Sequence, residues 1–338
     1  MSQSIYYVGV DMAQANFEVS LWRQEPAEGL GRYENQTAGF EALKQALAQG
    51  TEPEAVIHLI VEPTGGYELG LVSYALGQGW LVSLPNPKQV RDWAKSQGRR
   101  AKTDKLDSLV LAAYGAKQKL HLYQPAPVAV EQLDDLLHRQ QDLQQMLGQE
   151  RNRLHALQVR PEVAPYVLQS VKRHIELLEK DLAELEQAIN DLLDQNPELK
   201  QHRQRLQSVP GVGPKNSLVL LVLLARWQAL TQGQGSAKAL TAYVGLDPTP
   251  YESGSSVYPR ATISKMGNTR LRSQLYLGAL GGVRGHNPLR DFYGQLVSRG
   301  KAKKLALVAS ARKILIWSWA VFSHQLDFDP KKVNPAFV

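Results

Sequence analysis

Four carboxylates in the first third of the chain occupy positions from which they could hold a metal ion. Asp11 ends the first β-rich run, Glu62 ends a later one, and Asp104 and Asp107 are three residues apart. Strand ends meet at one edge of a sheet, and a spacing of i, i+3 puts two side chains on one face of a helix. Carboxylates that converge raise one another's pKa, and a hard divalent cation removes that conflict.

The chemistry of such a site is the cleavage or transfer of phosphodiesters, because two divalent ions can clamp the attacking and leaving oxygens of a phosphate. Mg²⁺ is the expected ion, with Mn²⁺ as the alternative, and no other cofactor-binding residue is predicted. The chain of 338 residues contains no cysteine, which excludes disulfides and thiolate ligands. Each acid alone could be a surface residue or a helix cap. As a set, with basic residues beside Asp104 and Asp107, they favour a metal site.

A serine in the last third of the chain, Ser253, is a candidate nucleophile. It lies in a Gly- and Ser-rich loop, where backbone freedom would expose its hydroxyl group. A serine hydroxyl is a weak nucleophile that needs a base or a metal ion nearby, and the Lys and Arg residues downstream could hold the phosphate under attack. From the loop alone a turn-forming serine is favoured, and Ser255 and Ser256 are close enough to be alternatives to Ser253.

The elements that must position the acids form an α/β domain in residues 1–124. Three strands followed by helix, strand, helix and strand predict a mixed sheet. These elements are expected near residues 5–10, 17–21, 31–35, 39–48, 56–61, 69–76 and 80–84. Pro85 and Pro87 close the sheet, and a helix rich in Lys and Arg follows. Thr103 is the expected N-cap of the helix that carries Asp104 and Asp107.

The middle of the chain, residues 125–200, is expected to form two long helices separated by Pro161 and Pro165. In the second helix, apolar residues recur with the 4-3 spacing of a heptad seam. The seam residues are Val171, Ile175, Leu178, Leu182, Leu185, Ile189 and Leu192. An intramolecular helical hairpin and a dimerising coiled coil explain this seam equally well.

Residues 201–338 are predicted to form a helix-rich domain that begins with a helix-hairpin-helix-like motif. The segment 206–214 reads LQSVPGVGP, in which two glycines form a tight turn between apolar flanks. Without a Cβ in the way, the backbone N–H groups of such a turn can approach a DNA phosphate. A plain helix-capping loop is the alternative interpretation.

The distribution of charge favours a nucleic acid partner. The net charge is +7, yet residues 1–62 hold three basic and nine acidic residues. In residues 256–313, twelve basic residues accompany a single acid, and a second basic cluster covers residues 88–105. Basic clusters attract polyanions in a salt-dependent manner. Either cluster alone could be a solvated face, but two clusters that flank candidate chemistry indicate nucleic acid.

A cytoplasmic location without a membrane partner is expected. The first residues have no basic segment ahead of a long apolar run, so no signal peptide is visible. The most apolar stretches, 218–225 and 304–322, are too short or are interrupted by Arg312 and Lys313, so neither is predicted to span a membrane.

Several sequence blocks resemble the IS110-family transposases of bacterial insertion sequences. They are YVGVDMAQANF at 7–17, VEPTGGY at 61–67, AKTDKLDS at 101–108, AYVGLDPTPYESGSS at 242–256 and ISKMGNTRLR at 263–272. The resemblance covers nearly the whole chain in the family's domain order. It implies a RuvC-like, ribonuclease H-type front domain with a DEDD acidic set, which corresponds to Asp11, Glu62, Asp104 and Asp107. It also implies a nucleophilic serine, which corresponds to Ser253.

The function implied by this resemblance is DNA strand cleavage and exchange by a transposase or recombinase, through a phosphoserine intermediate and a Mg²⁺-binding acidic site. The implied partners are double-stranded donor and target DNA and a homo-oligomer, dimer or tetramer, for which the heptad seam would be the assembly surface. Some family members also use a guide RNA encoded beside their gene. The protein would act at the nucleoid in the bacterial cytoplasm.

Two other functions remain open at this point. The first alternative is a RuvC-like, metal-dependent and structure-specific DNA endonuclease, for which the serine would be dispensable. The second is a DNA-bridging protein with an inactive acidic pocket. An actin-like ATPase is set aside, because the chain lacks the later Gly-rich phosphate loops of that fold.

Overall fold

The computed structural model describes residues 4–98, 104–249 and 262–332. The chain divides into two compact units, Met1–Gln124 and Pro125–Val338. The first contains a mixed sheet with helices, and the second is mainly helical. The predicted combination of an α/β part with a mainly helical part is therefore confirmed.

Five strands form one sheet in the described part of the first unit, in the order β3-β2-β1-β4-β5. The strands are β1 (Ile5–Met12), β2 (Asn16–Trp22), β3 (Glu28–Glu34), β4 (Val56–Val61) and β5 (Leu81–Ser83). The first three pair antiparallel, whereas β4 runs parallel to β1 and β5 runs parallel to β4. Parallel neighbours need a crossover connection, and the segments between these strands supply it. The sheet is mixed, as predicted.

The helices of the first unit are α1 (Thr37–Gly50), α2 (Leu69–Gly77), α3 (Pro87–Ser96) and α4 (Asp104–Lys117). Helix α3 is the predicted helix rich in Lys and Arg. Its start follows from local chemistry, because the Asn86 side chain accepts a hydrogen bond from the N–H of Lys88 and Pro87 occupies the first turn. The expected N-cap of α4, Thr103, lies outside the described residues.

Helix α4 crosses β1 at Gly9, where the two backbones touch. A Cβ on Gly9 would overlap the carbonyl oxygen of Ser108, so only glycine fits at this crossing. Further along the helix, a Cβ on Gly115 would lie 2.8 Å from Cδ1 of Ile60 and 3.2 Å from Cδ1 of Tyr7. Since Ser108 lies over Gly9 and Gly115 lies beside Tyr7, α4 runs against the direction of β1. Its first turn therefore lies toward the carboxyl end of that strand.

The second unit is mainly helical in its described residues. Its helices are α5 (Val128–Gln158), α6 (Pro165–Gln195), α7 (Pro197–Gln207), α8 (Pro214–Leu230), α9 (Ala237–Val244), α10 (Thr269–Gly282), α11 (Pro288–Ser298) and α12 (Lys303–His324). Two short strands, β6 (Pro248–Thr249) and β7 (Thr262–Ile263), pair antiparallel between α9 and α10. A 3₁₀ turn at Pro330–Lys332 follows α12.

Helices α5 and α6 pack against each other as a hairpin within the chain. The seam residues Val171, Ile175 and Leu178 are buried in a cluster with leucines of α5. Beside the seam, Nη2 of Arg151 on α5 lies 2.7 Å from Oε1 of Glu179 on α6. Of the two interpretations of the heptad pattern, the intramolecular hairpin is the one observed. Leu182, Leu185 and Leu192 of the seam are only partly buried, so the assembly of an oligomer through these helices stays a prediction.

The base of this hairpin shares a core with the C-terminal helices. Leu133 of α5 and Leu193 of α6 belong to the same buried cluster as residues of α8, α10 and α12. Arg226 on α8 donates from Nε to Oε1 of Glu131 at 3.1 Å, and its Nη1 lies 2.6 Å from Oδ2 of Asp134. Burial alone would lower the pKa of Arg226, but the two carboxylates outweigh burial and raise it. The ion pairs therefore anchor α5 to α8.

The turn between α7 and α8 carries the two glycines of the predicted helix-hairpin-helix-like motif. Gly211 has a φ of +89°, and a Cβ there would lie 2.8 Å from the carbonyl oxygen of Gly278 on α10. A Cβ on Gly282 of α10 would likewise lie 2.8 Å from Cα of Gly211. Gly211 thus packs against a glycine face of α10. Gly213 is exposed, and no described atom lies within 4 Å of a Cβ placed on it. A phosphate could therefore approach the turn at Gly213 but not at Gly211, which α10 covers.

Helix α12 is the one described helix that is long and apolar enough, by length and composition, to cross a membrane. Most of its apolar surface is buried in the second unit, where Ala311, Ile314 and Leu315 are at most 1% exposed. A core helix that is surrounded by other helices has this composition.

Candidate metal centre and serine hairpin

Asp11 and Glu62 stand at neighbouring positions at the carboxyl edge of the sheet. The parallel pair β1–β4 puts Val10 opposite Val61, and each valine is followed by its acid. Both valines are fully buried, so the two backbones that carry the acids are fixed in the core. The acids themselves are partly exposed at the edge. The structure thus brings together the first two members of the predicted acidic set.

The other two predicted acids begin helix α4, whose first turn lies toward the same edge. Asp107 is partly exposed and precedes Ser108, whose hydroxyl group lies 2.8 Å from the hydroxyl group of Ser20 on β2. This contact fixes the start of α4 against the sheet. The backbone of Asp104 begins the helix, and its side chain lies outside the described part of the structure.

A basic helix borders the acidic edge. Arg91 on α3 places Nη2 3.5 Å from Oε1 of Glu62. Arg91 belongs to the basic cluster predicted at residues 88–105, of which Arg99, Arg100 and Lys102 lie outside the described residues. A guanidinium group in this place neutralises a carboxylate and has the geometry to contact a phosphate.

The loop that follows Glu62 is held by Glu68, a buried carboxylate that the sequence analysis did not identify. Its Oε2 accepts hydrogen bonds from the N–H and the hydroxyl group of Thr64, each at 3.1 Å, and from the N–H of Gly66 at 3.0 Å. Gly65 and Gly66 have φ values of +81° and +115°, which glycine adopts without strain. In the sequence, Thr64 and Glu68 flank Gly65 and Gly66, and from this spacing the role of Glu68 in the loop could have been predicted.

A second residue missed from the sequence, Asn35, connects this loop to the loop after β1. Its Nδ2 donates to the carbonyl oxygen of Tyr67 at 3.0 Å and to those of Ala13 and Gln14 at 3.3 and 3.4 Å. An asparagine after a strand and before a helix signals a turn, but its partners far along the chain give no local pattern.

The described acids have the oxygen chemistry that a divalent cation requires. Asp11, Glu62 and Asp107 come from elements that meet at one edge of the sheet, which fits a cation in donor type, but the three side chains do not converge into one ligand set. Among the side chains that the structure describes, no three acidic or histidine groups form a ligand cluster. Asp104, whose side chain is not among them, is the member that would complete the predicted set.

The predicted nucleophile, Ser253, and its two alternatives lie in the segment 250–261, outside the described residues. The strands β6 and β7, which flank that segment, pair directly. The N–H of Ser264 donates to the carbonyl oxygen of Asp247 at 3.0 Å, and the hydroxyl group of Ser264 donates to the carboxylate of Asp247. The residues on either side of the predicted nucleophile are therefore fixed next to each other.

The paired strands β6 and β7 and the residues next to them, 244–249 and 262–269, are called here the base of the serine hairpin. Arg272 on α10 binds both sides of this base. Its Nη1 donates to the carbonyl oxygen of Val244 at 3.2 Å and to that of Gly267, and its Nη2 donates to Oγ1 of Thr269 at 3.0 Å. The expectation that basic residues downstream of the serine hold a phosphate is therefore not supported for Arg272, whose guanidinium group is bound to the protein's own backbone. Lys265, by contrast, is exposed and lies in a left-handed turn with a φ of 56°.

Both units are similar to known transposase families. Residues 8–159 match the DEDD transposase family of IS110 elements, and residues 203–294 match the transposase family IS116/IS110/IS902. The first range contains all four predicted acids, and the second contains Ser253.

Individual relatives extend this similarity over nearly the whole chain. The pilin gene-inverting protein of Moraxella lacunata is 31% identical over 326 residues, which are 96% of this chain and 98% of that protein. The pilin gene-inverting protein of Moraxella bovis has the same identity and coverage. A 43.6 kDa uncharacterized protein of insertion element IS110 from Streptomyces coelicolor is 33% identical over 133 residues, or 38% of this chain and 30% of that protein.

Proposed function

This chain belongs to the IS110 family of insertion-sequence transposases, and we propose from that premise that it exchanges DNA strands through a phosphoserine intermediate on Ser253. As a member of this family it is a DNA recombinase and binds DNA as its substrate. The DEDD family match also indicates dependence on a divalent metal ion. The identity of the nucleophile, the ion and any guide RNA belong to the proposal.

The observation that carries the proposal is the match of residues 203–294, which contain Ser253, to the transposase family IS116/IS110/IS902. The placement of the acidic residues supports the metal site of the same reaction. Two buried parallel strands end in Asp11 and Glu62, and a helix that starts with Asp104 and Asp107 approaches the same edge. This sheet order and acid placement support a RuvC-like, ribonuclease H-type assignment for residues 1–124. For the remainder we propose hairpin helices over residues 125–200 and the serine-bearing transposase domain over residues 201–338.

The proposed reaction conserves phosphodiester bonds. The Oγ of Ser253 attacks a scissile phosphorus, its proton passes to a base, and the bond from phosphorus to the 3′ oxygen breaks. The 3′ oxygen takes up a proton and leaves as a hydroxyl group, so one strand end is joined to the serine and the other is free. In the second step, a 3′-hydroxyl from the partner strand attacks the phosphoserine and releases Ser253. No nucleotide cofactor is consumed.

Asp11, Glu62, Asp104 and Asp107 would hold the divalent ion, for which Mg²⁺ is proposed and Mn²⁺ is the alternative. When bound, such an ion neutralises phosphate charge and lowers the pKa of an attacking oxygen. Arg91 is placed to contact a phosphate at the same edge, because its guanidinium group already lies 3.5 Å from Glu62. Lys265, exposed beside β7, is placed to do the same near the serine segment.

Exchange between two duplexes needs several active sites at once, which supports a homo-oligomer, dimer or tetramer. The partly buried seam residues Leu182, Leu185 and Leu192 keep the α5–α6 hairpin as a candidate assembly surface. A guide RNA that selects donor and target DNA is consistent with the basic surfaces and with the family. Family membership also supports action on DNA in the bacterial cytoplasm.

A second candidate function is a RuvC-like endonuclease that hydrolyses DNA with the acidic set alone. The observation that favours it is that Asp11 and Glu62 stand next to each other at one edge of the sheet within the first unit. In that case water is the nucleophile, and no covalent link between protein and DNA forms.

The experiment that separates the two functions is a cleavage assay on DNA that carries the element's own ends, with any adjacent transcript supplied. Wild type, Ser253→Ala and Asp11→Ala are compared on denaturing gels that resolve covalent protein–DNA adducts. The proposal predicts an adduct in wild type that both variants lose. Free nicked ends without an adduct, unaffected by Ser253→Ala and lost in Asp11→Ala, establish the endonuclease instead.

A further inference from the structure

Asn35 lies where the loops beyond the two acid-bearing strands meet. The loop after β1 contributes the carbonyl oxygens of Ala13 and Gln14, and the loop after β4 contributes the carbonyl oxygen of Tyr67. One amide nitrogen, Nδ2 of Asn35, donates to all three, at distances from 3.0 to 3.4 Å. A primary amide has two N–H groups, so one of them is shared between neighbouring carbonyls.

The backbone around Asn35 is itself held in place. Its N–H donates to the carbonyl oxygen of Ala15 at 3.0 Å, and the N–H of Gln36 donates to that of Glu34 at 2.8 Å. A Cβ on Gly39 would overlap the carbonyl oxygen of Glu34, so the first turn of α1 packs directly on this segment. The backbone that carries the Asn35 side chain is therefore fixed.

The loop on the other side is equally well fixed. Glu68 is 6% exposed, and its carboxylate binds the backbone N–H groups of Thr64 and Gly66. The carbonyl group of Tyr67 lies between these bonds and the start of α2. Because this loop is rigid, a hydrogen bond to Tyr67 also restrains the position of Glu62, which is the residue just before the loop.

We propose that Asn35 is a positioning residue of the acidic site. By joining the loops that follow Asp11 and Glu62, it holds the two strand ends together beyond the last register pair, Val10–Val61, and so sets the affinity of the site for its divalent ion. This inference rests on the proposed role of the two acids as metal ligands. Residues that orient metal ligands from outside the coordination sphere typically change affinity by about 10- to 100-fold when they are replaced.

The test is Mn²⁺ binding to the full-length protein, measured by titration calorimetry and by the loss of the free-ion electron paramagnetic resonance signal. Wild type and Asp11→Ala define the Asp11-dependent site. Asn35→Ala removes the donor, and Asn35→Asp keeps the shape but sets a carboxylate against three carbonyl oxygens. Gln36→Ala is the matched control, because this neighbouring amide is exposed and its side chain bonds only Glu34 among the described residues.

The expected result is an Mn²⁺ affinity about 10-fold or more below wild type in both Asn35 variants and unchanged in Gln36→Ala. A decrease in Asn35→Asp is informative because its added negative charge would by itself attract the cation. Unfolding temperatures measured in parallel separate loss of the fold from loss of the site, since a purely structural role lowers stability and leaves the affinity of the folded protein unchanged.

Two outcomes overturn the inference, and they are distinguishable. Asp11-dependent binding in wild type with the same affinity in Asn35→Ala refutes the role of Asn35 and leaves the proposed function intact. No Asp11-dependent binding in wild type refutes the metal site of the proposed function, and the role of Asn35 with it.

Discussion

Val10 and Val61 are register partners in the parallel pair β1–β4, and an acid follows each of them. This relationship places the backbones of Asp11 and Glu62 at adjacent positions on one sheet edge. Because both valines are fully buried, the placement of the acids depends on the core of the first unit. The catalytic proposal for this unit therefore depends on strand register.

Replacement of either acid by its amide is expected to abolish metal-dependent strand cleavage. Asp11→Asn and Glu62→Gln keep side-chain shape but remove a charged oxygen ligand, so cleavage should fall by about 100-fold or more. The measurement is the cleavage rate at increasing Mg²⁺ concentration. Glu28→Gln is the control, because Glu28 is an exposed acid on β3 of the same sheet and is not a register partner of either acid. An active Asp11→Asn protein would rule out the acidic site.

The two glycines of the α7–α8 turn should respond differently to alanine. Gly211→Ala places a Cβ at a positive φ and against Gly278, so the second unit should lose about 2 kcal/mol or more of unfolding free energy. Gly213→Ala, with a φ of −86° and open surroundings, should change stability by less than about 0.5 kcal/mol. Chemical denaturation measures both. Equal losses in the two variants would show that the turn does not pack on α10 as described.

If the exposed side of this turn meets a phosphate, Gly213→Ala should weaken DNA binding although it leaves stability unchanged. The added methyl group stands beside the backbone N–H groups that approach the phosphate. Fluorescence anisotropy with the element's end sequence, at two salt concentrations, measures this effect. Unchanged affinity in Gly213→Ala would favour the plain capping turn.

Removal of the Arg272 guanidinium group should loosen the base of the serine hairpin. Hydrogen bonds to a charged donor contribute about 1.5–3 kcal/mol each, so Arg272→Gln should raise amide exchange at Ser264 and Lys265 by about tenfold or more. Hydrogen exchange with mass spectrometry detects this change. Lys238→Gln, an exposed charge on α9, is the matched control. Unchanged exchange with weakened DNA binding would instead assign Arg272 to the phosphate.

His58 should make the first unit less stable as the pH falls. Its Nε2 lies 2.8 Å from Oγ of Ser83, which donates to the carbonyl oxygen of His121, and burial lowers the pKa of His58 from 6.5 to about 4. Below pH 6.5 the unfolded chain binds a proton that the folded histidine does not, so stability falls until the pH reaches about 4.

The measurement is the free energy of unfolding at pH 7 and pH 5 in wild type and His58→Gln. Wild type should lose about 2 kcal/mol more than the variant over this interval, because one unit of pKa corresponds to about 1.4 kcal/mol. All other titratable groups are the same in the two proteins, so their contributions cancel in the difference. Equal losses in the two proteins would show that folding does not lower the pKa of His58.

The sheet of the first unit could be predicted because its apolar residues have a clear period and its strands end at turn residues. The run at 56–61 and the helix after the two glycines both appear where expected, so the acids at strand ends could be placed on one edge. The heptad seam was ambiguous for a physical reason. Its period shows that one face of α6 is buried but does not show whether α5 or another chain covers it.

The residues missed from the sequence share another property. Asn35 and Glu68 were not identified, and Arg272 was given another role, because all three bind backbone carbonyl or N–H groups whose positions the sequence does not show. Arg272 was expected to bind a phosphate because its charge is visible in the sequence, whereas its carbonyl partner 28 residues earlier is not. The turn with Gly211 and Gly213 was expected to approach a DNA phosphate or to cap a helix, and the packing of Gly211 on α10 was not visible because Gly278 and Gly282 lie far along the chain.

The most direct test of the phosphoserine mechanism is to identify the residue that becomes linked to DNA. Wild-type protein is trapped on its own element ends, digested with protease and nuclease, and the modified peptide is sequenced by mass spectrometry. The phosphoserine mechanism predicts a nucleotide adduct on Ser253, absent from Asp11→Ala protein. A modified Ser255 or Ser256 would shift the nucleophile, and cleaved DNA with no modified peptide would contradict the phosphoserine mechanism.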